Sequence, residues 1–77
     1  MFKCNNPLAL VDALSYSFPN AVKEEPTLGK VVFRIDKVIC NIFLTTGTVN
    51  FQGKFDGPNK ATIESISLII DSINSES

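Results

Sequence analysis

From Lys30 to Lys54 hydrophobic and polar positions alternate with a period of two, the pattern of strands half buried against a core. Lys30-Val31-Val32-Phe33-Arg34-Ile35-Asp36 has the β-branched and aromatic composition of a strand and puts Val31, Phe33 and Ile35 on one face. A two-residue hairpin loop at Asp36-Lys37 sets Ile35 opposite Val38, so that Val38, Cys40, Ile42 and Leu44 join that face. A second two-residue loop at Thr46-Gly47 sets Thr45 opposite Thr48 and turns Val49 and Phe51 inward. Three strands then share one apolar face. Its reverse carries three rows of cross-strand neighbours: Arg34, Ile39 and Lys54; Val32, Asn41 and Gln52; Lys30, Phe43 and Asn50.

Period changes at both ends of this block. Asn6 suits an N-cap and Pro7 the first helical position, and Leu8, Val11, Leu14 or Ser15, and Phe18 recur at helical spacing, which predicts a helix over residues 7 to 17. Phe18-Pro19-Asn20 closes it, because proline cannot continue the ladder and disfavours helix in the residue before it. A short strand from Ala21 to Glu25 follows, and Pro26-Thr27-Leu28-Gly29 reads as a turn. After the turn Asp56-Gly57-Pro58-Asn59, with Asn59 as N-cap, Ile63, Ile66, Ile69, Ile70 and Ile73 form a wide apolar stripe for a second helix. Asn74-Ser75-Glu76-Ser77 reads as a polar, frayed terminus. Both helices are expected to cover the inward face of the sheet.

The chain has 77 residues, enough for one domain spanning 1–77, and a chain of this size buries only about 60% of its unfolded surface. A large enclosed active site is therefore not expected. Hydrophobic residues make up 44% of the sequence with four glycines and four prolines, a globular composition, and no apolar run approaches the roughly 20 residues of a membrane span. Met1-Phe2-Lys3-Cys4-Asn5-Asn6 turns polar too early for a signal peptide, so a soluble cytoplasmic protein without membrane contact is expected.

Charge is unevenly placed. The net charge is −1, yet Lys30, Arg34, Lys37, Lys54 and Lys60 face only Asp36 and Asp56 between positions 30 and 60, leaving that segment at +3 and the two ends together at −4. Phe43, Val32 and Ile39 among Asn41, Asn50 and Gln52 describe a platform able to hold an anionic ligand, and the same polarity also fits a solvated sheet face whose amides form a cross-strand ladder.

Catalytic chemistry has little to work with. There is no histidine, no serine in a GxSxG setting, and Asp12, Asp36, Asp56, Glu64 and Asp71 are scattered, so no nucleophile, base and orienting group come together and no enzyme is expected. Gln52-Gly53-Lys54 lacks the Walker spacing, and Gly53 and Gly47 read as strand-end and turn residues. Cys4 and Cys40 have no CxxC spacing, so neither a metal nor any other cofactor is expected; Cys40 reads as a small core residue, with a disulfide to Cys4 as the alternative.

Thr46-Gly47-Thr48-Val49-Asn50-Phe51-Gln52-Gly53-Lys54 resembles the strand-turn-strand signature of TATA-binding-protein-like (TBP-like) domains, and is similar to the Gly-x-Val-x-Phe-Gln-Gly-Lys run of the amino-terminal substrate-binding domain of type-HIII ribonucleases H. The resemblance implies an α+β fold of order β-α-β4-α: a short first strand from residues 2 to 4, a helix, a curved four-stranded antiparallel sheet and a second helix. It further implies that the open sheet face meets nucleic acid, whether RNA–DNA hybrid, RNA or DNA, through Lys30, Arg34, Asn41, Phe43, Asn50, Gln52 and Lys54. Related domains in toxin-antitoxin ribonucleases imply the alternative of a protein-interaction module, antitoxin-like or accessory to phage defence. Against that family the chain, acidic overall, is expected to be a single half-repeat without an attached nuclease domain, and a lone copy would also be able to form a homo-oligomer by pairing sheet edges.

Overall fold

The computed structural model describes residues 2–53 and 56–76 of the chain. Seven elements follow one another: β1 (Phe2–Lys3), α1 (Pro7–Ser17), β2 (Val22–Thr27), β3 (Lys30–Ile35), β4 (Val38–Phe43), β5 (Thr48–Gln52) and α2 (Pro58–Glu76). The strands form one antiparallel sheet in the order β1-β5-β4-β3-β2, five strands where four were expected, because the short first strand joins the open edge of β5. The fold class is α+β, with both helices on one face of the sheet. No helix is long and apolar enough to cross a membrane among the described residues.

α1 forms where its punctuation places it. The Asn6 side chain accepts the Ala9 backbone N–H at 3.2 Å, Pro7 opens the first turn, and the Phe18 N–H closes the last on the Leu14 carbonyl at 2.9 Å. Its buried stripe is Leu10, Val11 and Leu14, whereas Leu8, expected on that stripe, is exposed; the helix is rotated so that Leu10 takes its place. In α2, Ile66 and Ile70 are buried and Ile69 and Ile73 pack beside them. α2 starts with Pro58 in its first turn, so Asn59 lies inside the helix instead of capping it.

Beneath the helices lie Val31, Phe33, Ile35, Cys40, Ile42 and Val49, all buried and all on the face that alternation assigns to the core. Phe2 and Phe51 meet edge to face at its margin, with ring centroids 5.3 Å apart. Cys4 and Cys40 are both buried and both free, which settles the pair as core thiols without a disulfide. Burial pushes the Cys40 thiol up to about 12, since its thiolate would lose hydration there.

The β3–β4 hairpin has the expected register, with Ile35 opposite Val38, Arg34 opposite Ile39, Val32 opposite Asn41 and Lys30 opposite Phe43. The β4–β5 hairpin does not. Asn41 pairs with Asn50 and Ile39 with Gln52, a shift of two residues from the expected pairing, and the connection is the four residues 44 to 47. The longer loop lets Leu44 pack on the core and its N–H reach the Gly29 carbonyl at 2.7 Å, while Gly47 at φ +76 returns its N–H to the Phe43 carbonyl at 2.8 Å. Gly47 also lies against β1's continuation: a Cβ there would collide with the Cys4 carbonyl oxygen, and the Cys4 N–H donates to the Gly47 carbonyl at 2.8 Å.

Two further boundaries differ. β2 runs on to Thr27 through Pro26, which sits at a register shift on the sheet edge, where a missing N–H breaks no ladder bond. The α2 helix continues to Glu76, and Asn74 is anything but frayed: it accepts the Asn5 N–H at 2.8 Å and donates to the Lys3 carbonyl at 2.9 Å.

Candidate binding face of the sheet

The face opposite the helices is built by the outward residue of every strand. Because the register shift is an even number of residues, every outward side chain stays outward, but the rows are new. One row reads Val22, Arg34, Ile39, Gln52; the next Glu24, Val32, Asn41, Asn50; the third contains Lys30 and Phe43 on β3 and β4, and Thr48 and Lys3 on β5 and β1. Lys54, expected beside Arg34 and Ile39, lies outside the described residues, and Gln52 holds that place.

Three contacts organise these rows. Arg34 Nε donates to Glu24 Oε1 at 2.7 Å across the β2–β3 pair, with both side chains about half exposed. Lys30 Nζ lies 5.3 Å from the centroid of the Phe43 ring, its direct cross-strand partner. Asn41 Nδ2 donates to Gln52 Oε1 at 3.3 Å. The middle of the face is thereby closed: Asn41 and Val32 are each only 8% exposed, sheltered by the longer chains around them. Phe43, Ile39, Asn50 and Lys30 are half-buried, and Arg34 and Gln52 are exposed.

Six of the seven expected site residues, Lys30, Arg34, Asn41, Phe43, Asn50 and Gln52, therefore share this face. Asn41 is too covered to be a contact and acts by holding Gln52, whose carbonyl oxygen it occupies, so that the remaining N–H groups of Gln52 are the ones free to bond outward. Two residues with a part in the site escaped the sequence reading. Lys3 reaches the face through the Lys3–Thr48 pair, and Glu24 reaches it by alternation within β2. The signal for each was parity, once their strands are placed in the sheet.

Electrostatics divides the molecule by face. The outer sheet face carries Lys3, Lys30 and Arg34 against Glu24 alone among the described residues, whereas the two helices carry Asp12, Glu64, Asp71 and Glu76 against Lys60. No group of three or more metal-ligating side chains occurs among the described residues, and the Cys40 thiol faces the core. What the face can do is donate hydrogen bonds, present positive charge and offer one aromatic ring. No protein-family model, curated protein or solved structure matches the chain.

Proposed function

We propose that the chain is a small non-catalytic nucleic-acid-binding domain that uses the outer face of its sheet, and that it is a TBP-like domain in the sense of the resemblance carried by residues 46 to 54. The observation that supports the reading is the charge balance of the two faces among the described residues: Lys3, Lys30 and Arg34 with Glu24 on the open sheet face, and Asp12, Glu64, Asp71 and Glu76 with Lys60 on the helices. Phosphates would meet Lys3, Lys30 and Arg34; base edges would meet Asn50 and Gln52.

Use of the same face by a protein partner is the competing reading, but the sheet edges lend it no support. β2 is exposed along its whole length and carries Lys23, Glu24, Glu25, Pro26 and a register shift, devices that discourage another strand from pairing, and β1 is only two residues long. The test is an amide chemical-shift titration with duplex DNA, RNA–DNA hybrid and single-stranded RNA at low salt. Shifts confined to Lys3, Lys30, Arg34, Phe43, Asn50 and Gln52, and reversed by salt, are expected; an unchanged spectrum with all three ligands overturns the proposal.

A further inference from the structure

We infer that the outer face takes unpaired nucleotides in preference to a duplex, with one base stacked on Phe43; the inference rests on the nucleic-acid reading above and specifies its ligand. Phe43 is the one aromatic ring on that face among the described residues, since Phe2, Phe33 and Phe51 pack with the core. Its ring is half-buried, held in the interior strand β4 between β3 and β5, and a cation already stands over it at 5.3 Å. A ring fixed from below with a face open to a cation is equally open to the π-face of a base. The Lys30 ammonium, on a flexible four-carbon stem, moves from the ring to the phosphate of the base that replaces it.

A duplex cannot use this arrangement. Its base faces are covered by their neighbours, and exposing one needs a side chain that wedges between steps. The apolar residues beside Phe43 do not project: Val32 is buried and Ile39 half-buried within the sheet. The charge is scaled to a short strand as well. Lys3 and Lys30 stand at the two ends of a row crossing β1, β5, β4 and β3, about 14 Å at the usual strand spacing, and the one other cation of the face among the described residues, Arg34, is shared with Glu24. Two to three phosphate contacts to a single strand correspond to a log–log salt slope of about −1.4 to −2.1.

The experiment uses the full chain with oligothymidylate and oligouridylate of about eight nucleotides and with DNA and RNA hairpin duplexes. Because the chain contains no tryptophan, Phe43→Trp introduces a single reporter whose fluorescence is quenched by a stacked base. Expected are affinities for the unpaired strands about tenfold above those for the hairpins, quenching of Phe43→Trp by the unpaired strands only, and loss of the tenfold gap in Phe43→Leu with the residual salt-dependent binding retained. Hairpins that bind as tightly as the single strands, or that quench Phe43→Trp equally, overturn the inference and leave the nucleic-acid reading standing. Absence of binding to every probe overturns both.

Discussion

Asn41 and Gln52 are joined by a hydrogen bond of 3.3 Å although neither is the other's cross-strand partner: Asn41 faces Asn50, and Gln52 faces Ile39. The bond is diagonal, and it fixes which side of the Gln52 amide is turned outward. Replacing the donor, which is itself almost wholly covered, removes this constraint from Gln52. Asn41→Ala should cost about 1 kcal/mol of stability in urea unfolding, since Gln52 is exposed enough for water to take the lost bond. Asn41→Asp should cost more, because a carboxylate there is desolvated and faces the Gln52 carbonyl oxygen without a proton to share.

The Glu24–Arg34 ion pair should matter more for binding than for folding. Exposed pairs of this kind are worth about 0–1 kcal/mol, so Glu24→Gln should leave the unfolding midpoint nearly unchanged. It also removes the carboxylate paired with Arg34 and frees that guanidinium for a phosphate, which should tighten oligonucleotide binding and steepen the single-strand salt slope by about 0.7. Equal affinity and slope in the variant would show that Arg34 takes no part.

Gly47 and Gly57 both have left-handed backbones, at φ +76 and +56, and differ in what surrounds them. An added Cβ at Gly57 meets nothing within 4 Å, so Gly57→Ala should cost only the backbone strain, about 1 kcal/mol. At Gly47 the same methyl would collide with the Cys4 carbonyl oxygen, and either the loop or β1 must move. Gly47→Ala should cost about 3 kcal/mol, with strain and overpacking added together, and should disturb the amide signals of residues 2 to 5.

Cys40 gives the stability a pH dependence of definite sign. Its folded-state value of about 12 lies above the ordinary thiol value of 9.0, so the native state keeps a proton that the unfolded chain releases. The contribution is fully present below pH 9 and is lost as pH rises toward 12, by up to about 1.4 kcal/mol for each pH unit. Cys40→Ala should flatten that limb of the stability profile, and in the wild-type protein the Cys40 thiol should react with alkylating reagents only at the rate of opening.

Much of this architecture is legible in the residues. Alternation over Val31, Phe33, Ile35, Val38, Cys40, Ile42 and Val49 assigns the buried face correctly, and Asn6-Pro7 with Phe18-Pro19 brackets α1 to the residue. What alternation cannot fix is a shift of two, since the side-chain period is also two; the β4–β5 register goes with the four-residue loop, in which the Leu44 N–H meets the Gly29 carbonyl and the Gly47 N–H the Phe43 carbonyl. Pro26 reads as a strand breaker only if the strand is interior, and here it lies on an edge. Asn74 was invisible because its partners, Lys3 and Asn5, stand at the other end of the sequence. The outer face was legible as a set of residues, and its closed centre was not, because the cover over Asn41 comes from side chains on neighbouring strands.

The bonds from Asn74 to Lys3 and Asn5 bridge separations of 71 and 69 residues, while β2 to β5 form a meander in which each strand pairs with its chain neighbour. Closing the long separation costs more chain entropy than closing any of the hairpins, so the corner made by β1 and the end of α2 should assemble after the meander and open before it, an order that native-state amide exchange would read. Lys3 stands on that corner. A ligand that engages Lys3 along with Lys30 therefore draws part of its affinity from a strand that must be in place when it arrives, and in return holds that strand closed, so that occupancy slows amide exchange at residues 2 to 5 more than anywhere else in the sheet.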